Sequence, residues 1–172
     1  NFLGLLGIRP RQFLELARAH AQYEGCDVVD QRVTGVTRSS EGFAVRTDAD
    51  RELRADRVVA ATAYDGDYLT DLADGEFHEE DDHPVAADED GRTDVDGLYV
   101  AGWLSGGPHQ VLIAAGHGAR VAKSLVHDYR CTEEGYWDEV AQYWDWRVED
   151  GTYGDERWEA HVDEWFDEGG PA

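Results

Sequence analysis

The sequence predicts an α/β fold that contains a parallel sheet. Two runs of small and apolar residues, Arg57–Ala63 (RVVAATA) and Gly97–Gly102 (GLYVAG), are typical of strands buried on both faces, as in parallel sheets. A Gly-rich turn follows the second run and leads into a helix over Gln110–Tyr129 that opens with small residues. Such a turn can present the helix N-terminus to an anion, although an ordinary connection between a strand and a helix has the same pattern.

The first element along the chain is a predicted helix over Pro10–Tyr23. Proline suits the first turn of a helix, and Gly25 supplies a stop signal just after the last turn. Apolar residues at helical spacing predict one packed face, formed by Phe13, Leu16, Ala17 and Ala21.

Strand patterns follow the helix and predict a small β-meander. The first strand begins near Cys26, and its β-branched positions are Val28, Val29, Val33 and Val36. A turn over Ser39–Gly42 separates it from further strands over Phe43–Asp48 and Arg51–Ala55.

The remaining segments connect or follow the predicted parallel strands. Tyr64–Asp96 is acidic, with little regular structure expected beyond a helical turn near Tyr68–Leu72, and a connection this long is unusual inside a compact domain. Residues 131–172 form an acidic tail that holds five of the six tryptophans. We expect two amphipathic helices or turns packing on the domain there, with an aromatic lid or dimer surface as the alternative. The helix before the tail is expected to pack through Val111, Ala115, Ala122 and Val126.

The charge balance restricts the partners and the environment of the protein. There are 38 acidic and 15 basic residues, a net charge of −23, and Lys123 is the only lysine. Such a field repels nucleic acid and anionic membranes, so neither is expected as a partner. Acid excess with arginine in place of lysine is typical of halophilic proteins. No apolar run reaches the roughly 18 residues that span a bilayer, and no export signal opens the chain, so we expect a cytoplasmic protein.

Histidines and acids suggest two further kinds of chemistry. His78 and His83 flank four acids in HEEDDH, but their spacing is not the i, i+4 spacing of a helical zinc motif. We expect a solvated loop there, with a weak metal site as the alternative. His109 and His117 lie near the start of the last helix, where no clear nucleophile or orienting carboxylate accompanies them. We therefore expect packing or surface roles for both rather than acid–base catalysis.

The order of these segments resembles the thioredoxin-reductase-like pyridine nucleotide–disulfide oxidoreductases. TDVDGLYVAGW followed by QVLIAAGHGARVAKSL resembles the family's last flavin-binding segment, in which Ala-Gly-Asp precedes a Gln and an Ala-Ala-Gly-x-Gly helix. NFLGLLGI, the helix ending at EGCDVV, and RVVAATA resemble the family's Asn-Phe-Pro-Gly segment, its next helix and strand, and its Ile-Ala-Thr-Gly strand end. The matches extend over residues 1–130.

The resemblance implies a partial FAD/NAD(P)-binding, Rossmann-like three-layer domain over residues 1–130, with a small β-meander and an acidic aromatic C-terminal tail over residues 131–172. It also implies FAD as the cofactor, with the N-terminus of the last helix facing the pyrimidine end of the isoalloxazine. The residues that it implies in cofactor binding are Ala61, Thr62, Gly102, Trp103, Gln110, Val111 and Ala114.

Several departures from the family pattern modify that expectation. Trp103 stands where the family has the aspartate that bonds the ribityl chain, and Ala63 replaces the glycine of Ala-Thr-Gly. The two cysteines, Cys26 and Cys131, form no CxxC motif. The acidic connection over residues 64–96 occupies the place of the nicotinamide domain. Because the family's G-x-G-x-x-G unit would precede Asn1 and the chain has no methionine, we expect that unit to be encoded upstream.

The function expected from the sequence is that of an FAD-dependent oxidoreductase related to thioredoxin reductase. We expect a fragment or abbreviated form without disulfide reductase activity. The alternatives are a non-catalytic structural or interaction module that lost the cofactor and a metal-binding protein that uses HEEDDH. Neither a catalytic residue nor the redox partner, small molecule or protein, is identified by the sequence, which also leaves a homodimer open.

We predict that folding requires molar salt. With a net charge of −23, the chain repels itself in dilute buffer, whereas molar salt shortens the Debye length to about 3 Å and screens that repulsion. Far-UV circular dichroism should show full secondary structure in molar KCl and a large loss in dilute buffer. Equal spectra in the two buffers would contradict the prediction.

Overall fold

The computed structural model describes residues 8–63, 65–72 and 85–138. The chain divides into two compact units, one of Asn1–Gly4 with Val29–Tyr129 and one of Leu5–Val28 with Arg130–Ala172. The HEEDDH segment and tail residues 139–172 lie outside the described residues, together with the predictions made for them. Among the described helices, none combines the length and the apolar character needed to cross a membrane.

Helix α1 (Pro10–Tyr23) belongs to the second unit and has the predicted bounds. Pro10 occupies its first turn, and the Gln12 side chain accepts a hydrogen bond of 3.1 Å from the Arg9 N–H. Pro10 and this N-terminal hydrogen bond explain why the helix begins where it does. Phe13 and Leu16 are half-buried as the apolar spacing predicts, whereas Ala17 is exposed.

The β-meander is confirmed as an antiparallel sheet in the first unit. Its strands are β1 (Val33–Ser39), β2 (Gly42–Thr47) and β3 (Glu52–Ala55), in that spatial order. The hairpin between β1 and β2 closes at the pair Ser39 and Gly42, as predicted for the turn.

The start of the first strand was predicted wrongly. Strand β1 begins at Val33, and Val28 and Val29 lie outside regular structure with exposed fractions of 37% and 39%. Valine spacing alone does not make a strand, because each strand needs a neighbour that satisfies its backbone groups. In the described part of the chain, pairing of this segment begins only at Arg32, whose carbonyl oxygen accepts a 2.9 Å hydrogen bond from the Asp48 N–H.

The predicted parallel sheet consists of β4 (Val58–Ala60) and β5 (Leu98–Val100). Val58, Val59 and Ala60 lie opposite Leu98, Tyr99 and Val100, respectively. All three residues of β5 are buried, whereas Val59 of β4 is 45% exposed. The expectation that both strands are buried on both faces is therefore wrong for β4, because no described element covers Val59.

One hydrophobic core joins the meander to the parallel sheet. The acidic connection contributes to it through Leu69, in a 3₁₀ turn over Asp67–Leu69, and through Val85. This turn confirms the helical turn predicted nearby, and the two apolar side chains explain how a connection rich in acids is held against the sheet. The buried members of this core are Val36, Phe43, Ala60, Leu69, Val85, Leu98, Val100 and Leu104.

Helix α2 (Val111–Arg130) covers the other face of β5. Its buried Val121 packs with Tyr99 and Ala101, supported by Leu125. The predicted packing face is wrong, because Val111 and Val126 are 46% and 41% exposed and Ala115 and Ala122 are exposed as well. The first half of this helix is rich in alanine and glycine, so its sequence shows little contrast between a packed and a solvated face.

The turn before β5 packs closely against the backbone of β5 and against helix α2 at Gly91. Gly91 has a φ of +78°, and its carbonyl oxygen accepts a 2.8 Å hydrogen bond from the Val100 N–H. A Cβ atom at this position would lie 2.5 Å from the Val100 carbonyl oxygen and 2.5 Å from Cγ2 of Val121. Only glycine fits, both for the backbone conformation and for the space.

An ion-pair network continues this attachment along α2. Arg92 contacts the Asp128 carboxylate through two nitrogens, with Nε–Oδ2 at 2.6 Å and Nη2–Oδ1 at 3.0 Å, and the Tyr99 hydroxyl donates to the same carboxylate at 2.9 Å. Arg92 and Arg120 both contact Asp90, at 2.6 and 2.7 Å. Hydrogen bonds from Arg92 lower the pKa of Asp128 to about 2, and burial together with the Asp128 contact raises the pKa of Tyr99 to about 12.

We predict that Gly91→Ala destabilises the protein by about 3 kcal/mol or more, since left-handed strain and overpacking each cost about 1–3 kcal/mol. Gly116→Ala is the matched control, because a Cβ atom there meets nothing within 4 Å and alanine favours the helix. Chemical denaturation in molar KCl should therefore show a loss for the first variant and no loss for the second. Equal stability of the two variants would contradict the packing at Gly91.

We predict that Asp128→Asn destabilises the fold above about pH 4 and loses this effect towards pH 2. The pKa of folded Asp128 lies below its ordinary value, so its stabilising contribution is complete above the unfolded pKa of about 3.9 and is lost as the pH falls through about 2. Unfolding free energies of the wild type and the variant should converge over that range. Asp94→Asn, which removes an exposed carboxylate outside the network, should change stability little at any pH.

Candidate functional site

The candidate site lies where the two parallel strands end. Ala61 and Thr62 follow β4, Gly102 follows β5, and the Ala101 N–H donates a 2.8 Å hydrogen bond to the Ala60 carbonyl oxygen, which extends the pairing to this edge. The carboxyl ends of parallel strands are where α/β folds place their ligands. Helix α2 begins close by at Val111, so its first N–H groups, which have no partner within the helix, lie at the same edge.

The turn after β5 is shaped by Gly102, which has a left-handed φ of +70°. It starts a 3₁₀ turn over Gly102–Ser105, within the segment expected to form a Gly-rich turn. A Cβ atom at Gly102 would come no closer than 3.8 Å to that of Ala114, so the backbone conformation rather than space requires glycine. The turn brings Trp103 to the mouth of the site.

Trp103 stacks on His109 at this mouth. The two ring centroids are 3.5 Å apart, with an angle of 36° between the ring planes. The expectation of a packing role for His109 therefore agrees with the structure. The pair provides a tilted aromatic wall next to the start of α2. An indole has one N–H donor and no acceptor.

A cavity of about 440 Å³, here called the strand-end cavity, occupies this edge of the sheet. Its volume lies within the roughly 300–1,000 Å³ range of ligand pockets. Its walls are the residues after β4, the turn after β5 and the first two turns of α2. All seven residues that the sequence implied in cofactor binding line it, namely Ala61, Thr62, Gly102, Trp103, Gln110, Val111 and Ala114. Their contact with a cofactor stays a prediction.

A second cavity of about 420 Å³, the meander cavity, shares Ala61 and Thr62 with the first. It lies between β4 and the meander, and its floor consists of valines from β1, β2 and β4. At its edge Arg32 and Asp65 form an ion pair with a 2.9 Å contact. The sequence does not predict this cavity, because it is formed by strands that are distant in sequence and carry no motif.

Polar groups fix the boundary between these two cavities. The Thr62 hydroxyl donates to the Asp65 carbonyl oxygen at 2.7 Å and lies 3.1 Å from the Tyr68 hydroxyl. Burial raises the pKa of Tyr68, which therefore stays a neutral hydroxyl at physiological pH. The Thr62 side chain is thus held in place by two contacts on the connection after β4.

A third cavity of about 510 Å³ lies on the other side of Gly102 and contains His117, Ser105 and Arg120. The His117 imidazole accepts a hydrogen bond from the Gly102 N–H at 3.0 Å. His117 thus contacts the backbone of the candidate site, a role that the expectation of packing or surface placement did not specify. Among the described residues, no group of three or more histidine, cysteine or acidic side chains is arranged to hold a metal ion.

The structure of the chain is similar to solved thioredoxin reductases. Matches include a ferredoxin-flavin thioredoxin reductase from Clostridium acetobutylicum (13% identity, 73% of this chain and 80% of that chain, TM-score 0.59). A putative thioredoxin reductase from Bacillus anthracis (14% identity, 77% and 85%, TM-score 0.58) and an atypical thioredoxin reductase from Desulfovibrio vulgaris Hildenborough (17% identity, 77% and 85%, TM-score 0.58) also match. Neither a protein-family model nor a curated protein sequence matches the chain.

These similarities establish the fold. The chain has an α/β, partial Rossmann-like domain of the kind found in thioredoxin reductases, and the resemblance seen in the sequence is confirmed at that level. At identities of 13–17%, the likeness shows the fold and does not by itself carry an activity.

Proposed function

We propose that the strand-end cavity and the meander cavity together bind FAD and that the protein is an FAD-dependent oxidoreductase related to thioredoxin reductase. The observation that carries the proposal is the adjacency of the two cavities, which share Ala61 and Thr62 at the carboxyl ends of parallel strands. A dinucleotide is an elongated ligand, and two adjoining cavities offer it more room than either alone. The similarity to a protein named as a ferredoxin-flavin thioredoxin reductase supports the same ligand class.

The residues present fit a flavin. Small side chains, among them Ala61, Ala63 and Ala114, leave space for a flat ring system, and Trp103 supplies an aromatic wall. The first turn of α2, from Val111 onward, supplies N–H donors and the positive end of the helix dipole, which stabilise an anion. The N–H of Gln110, just before the helix, donates to the Pro108 carbonyl oxygen at 2.8 Å. When bound, FAD would supply the electron-transfer chemistry, and these residues would hold it and stabilise its negative charge.

The partner of the proposed oxidoreductase is a small-molecule or protein redox partner. The chain contains no CxxC, so we propose that it does not reduce disulfides in the manner of the thioredoxin reductases it resembles. Cys26 is exposed and Cys131 half-buried, and both are free thiols.

The proposal predicts how Trp103→Asp changes FAD binding. An acidic side chain accepts hydrogen bonds from ribityl hydroxyls, which an indole cannot do, and a charge-assisted hydrogen bond contributes about 1.5–3 kcal/mol. We expect Trp103→Asp to tighten FAD roughly tenfold or more. Trp103→Asn is the matched control, because asparagine has the shape of aspartate without its charge. It should increase the affinity for FAD by less.

The measurement is a titration of FAD in molar KCl, on protein that includes the segment expected upstream of Asn1, followed by flavin fluorescence and by the visible absorbance of the bound cofactor. The wild type should bind FAD measurably. If neither the wild type nor Trp103→Asp binds FAD, the chain is a structural or interaction module without the cofactor and the proposal is wrong. If Trp103→Asp weakens binding instead, Trp103 stacks on the flavin and the ribityl geometry of the family does not apply.

A further inference from the structure

We propose that His117 is a positioning residue for the flavin site, acting through the backbone of Gly102. This inference rests on the proposed FAD site. Gly102 borders both the strand-end cavity and the third cavity, whereas His117 borders the third cavity. The imidazole therefore holds the turn from the third cavity rather than from the strand-end cavity, and it determines where Trp103, the next residue along the chain, is placed.

Side chains satisfy both backbone polar groups of Gly102. Its N–H donates to Nδ1 of His117 at 3.0 Å, and its carbonyl oxygen accepts a 2.8 Å hydrogen bond from the Ser105 hydroxyl. The Ser105 oxygen also lies 3.2 Å from the same Nδ1 atom. Gly102 is in the left-handed conformation, with a φ of +70°. Glycine has many conformations open to it, and these two hydrogen bonds favour this one.

The direction of the first hydrogen bond fixes the chemistry of the ring. A backbone N–H only donates, so Nδ1 must be the unprotonated nitrogen, and the ring proton of the neutral imidazole resides on Nε2. The imidazole ring borders the third cavity. The acids that border the cavity, Asp88 and Glu89, have other partners, because Asp88 accepts from the Arg92 N–H at 2.8 Å and Glu89 contacts Arg120 at 3.1 Å.

Two substitutions separate the hydrogen bond from the bulk of the ring. In His117→Asn, an amide oxygen can take the position of Nδ1 and accept from Gly102, whereas His117→Leu fills similar space without an acceptor. We expect His117→Leu to weaken FAD binding about three- to tenfold and His117→Asn to stay within about twofold of the wild type.

The test combines FAD titration with two measurements on the protein without flavin, at mildly alkaline pH in molar KCl. The nitrogen chemical shifts of the His117 ring should report a proton on Nε2. Amide hydrogen exchange at Gly102 should be slow in the wild type and His117→Asn, and fast in His117→Leu.

Each outcome supports the inference or overturns it. A proton on Nδ1 of the wild type, or equal Gly102 exchange in the wild type and His117→Leu, would show that the hydrogen bond does not exist, even if FAD binds. Fast Gly102 exchange in His117→Leu with unchanged FAD affinity would show that the hydrogen bond exists but does not position the flavin site. Absence of FAD binding to the wild type would overturn the proposed function, and with it the positioning role, while the ring and amide measurements would still report on the hydrogen bond. Should His117→Leu fail to fold, the ring proton of the wild type and the FAD affinity of His117→Asn decide.

Discussion

The parallel pairing of β4 with β5 determines where every part of the candidate site lies. Because Ala60 lies opposite Val100, the two strands end together, and the residues that follow them become neighbours although about 40 positions separate them in the sequence. A shift of one residue in this register would move Thr62 away from Gly102 and separate the walls of the strand-end cavity. The buried side chains of β5, packed on both faces, oppose such a shift.

Helix α2 reaches this edge in one fixed orientation because a single face of the helix attaches it at three places. His117 contacts Gly102 near its start, Val121 packs on Tyr99 in the middle, and Asp128 binds Arg92 and the Tyr99 hydroxyl near its end. Three kinds of interaction, a neutral hydrogen bond, apolar packing and an ion pair, thus share the task. Direct contacts such as the last are less sensitive to molar salt than the long-range repulsion of the acidic surface.

Local patterns in the sequence predicted most of the elements, because short strands, a Gly-rich turn and a helix start each carry local signals. The seven residues of the strand-end cavity that the sequence named came from the family resemblance instead, and other residues line the cavity as well. The packing face of α2 could not be predicted, because alanines and glycines occur on several sides of the helix. Val121 is buried because it contacts β5, which the sequence of the helix does not show. Two further features depend on residues that are distant in sequence. Strand β1 starts only where a pairing partner is present, after Val28, and His117 contacts the backbone of Gly102. The meander cavity belongs to the same class, because strands far apart in sequence form it.

The shared wall of Ala61 and Thr62 has a consequence for the size of molecule that the site can select. Thr62 is held in place by Asp65 and Tyr68, so this boundary between the two cavities is a fixed ridge. A stiff molecule would have to choose one side. A molecule with two flat ends joined by a rotatable chain can bend over the ridge and gain affinity from both sides, as in bivalent binding, where the joint determines the effective concentration of the second end. The ridge would therefore select ligands by their length. A dinucleotide would be long enough to occupy both cavities, whereas a mononucleotide would occupy only one, whatever the chemistry of its ring.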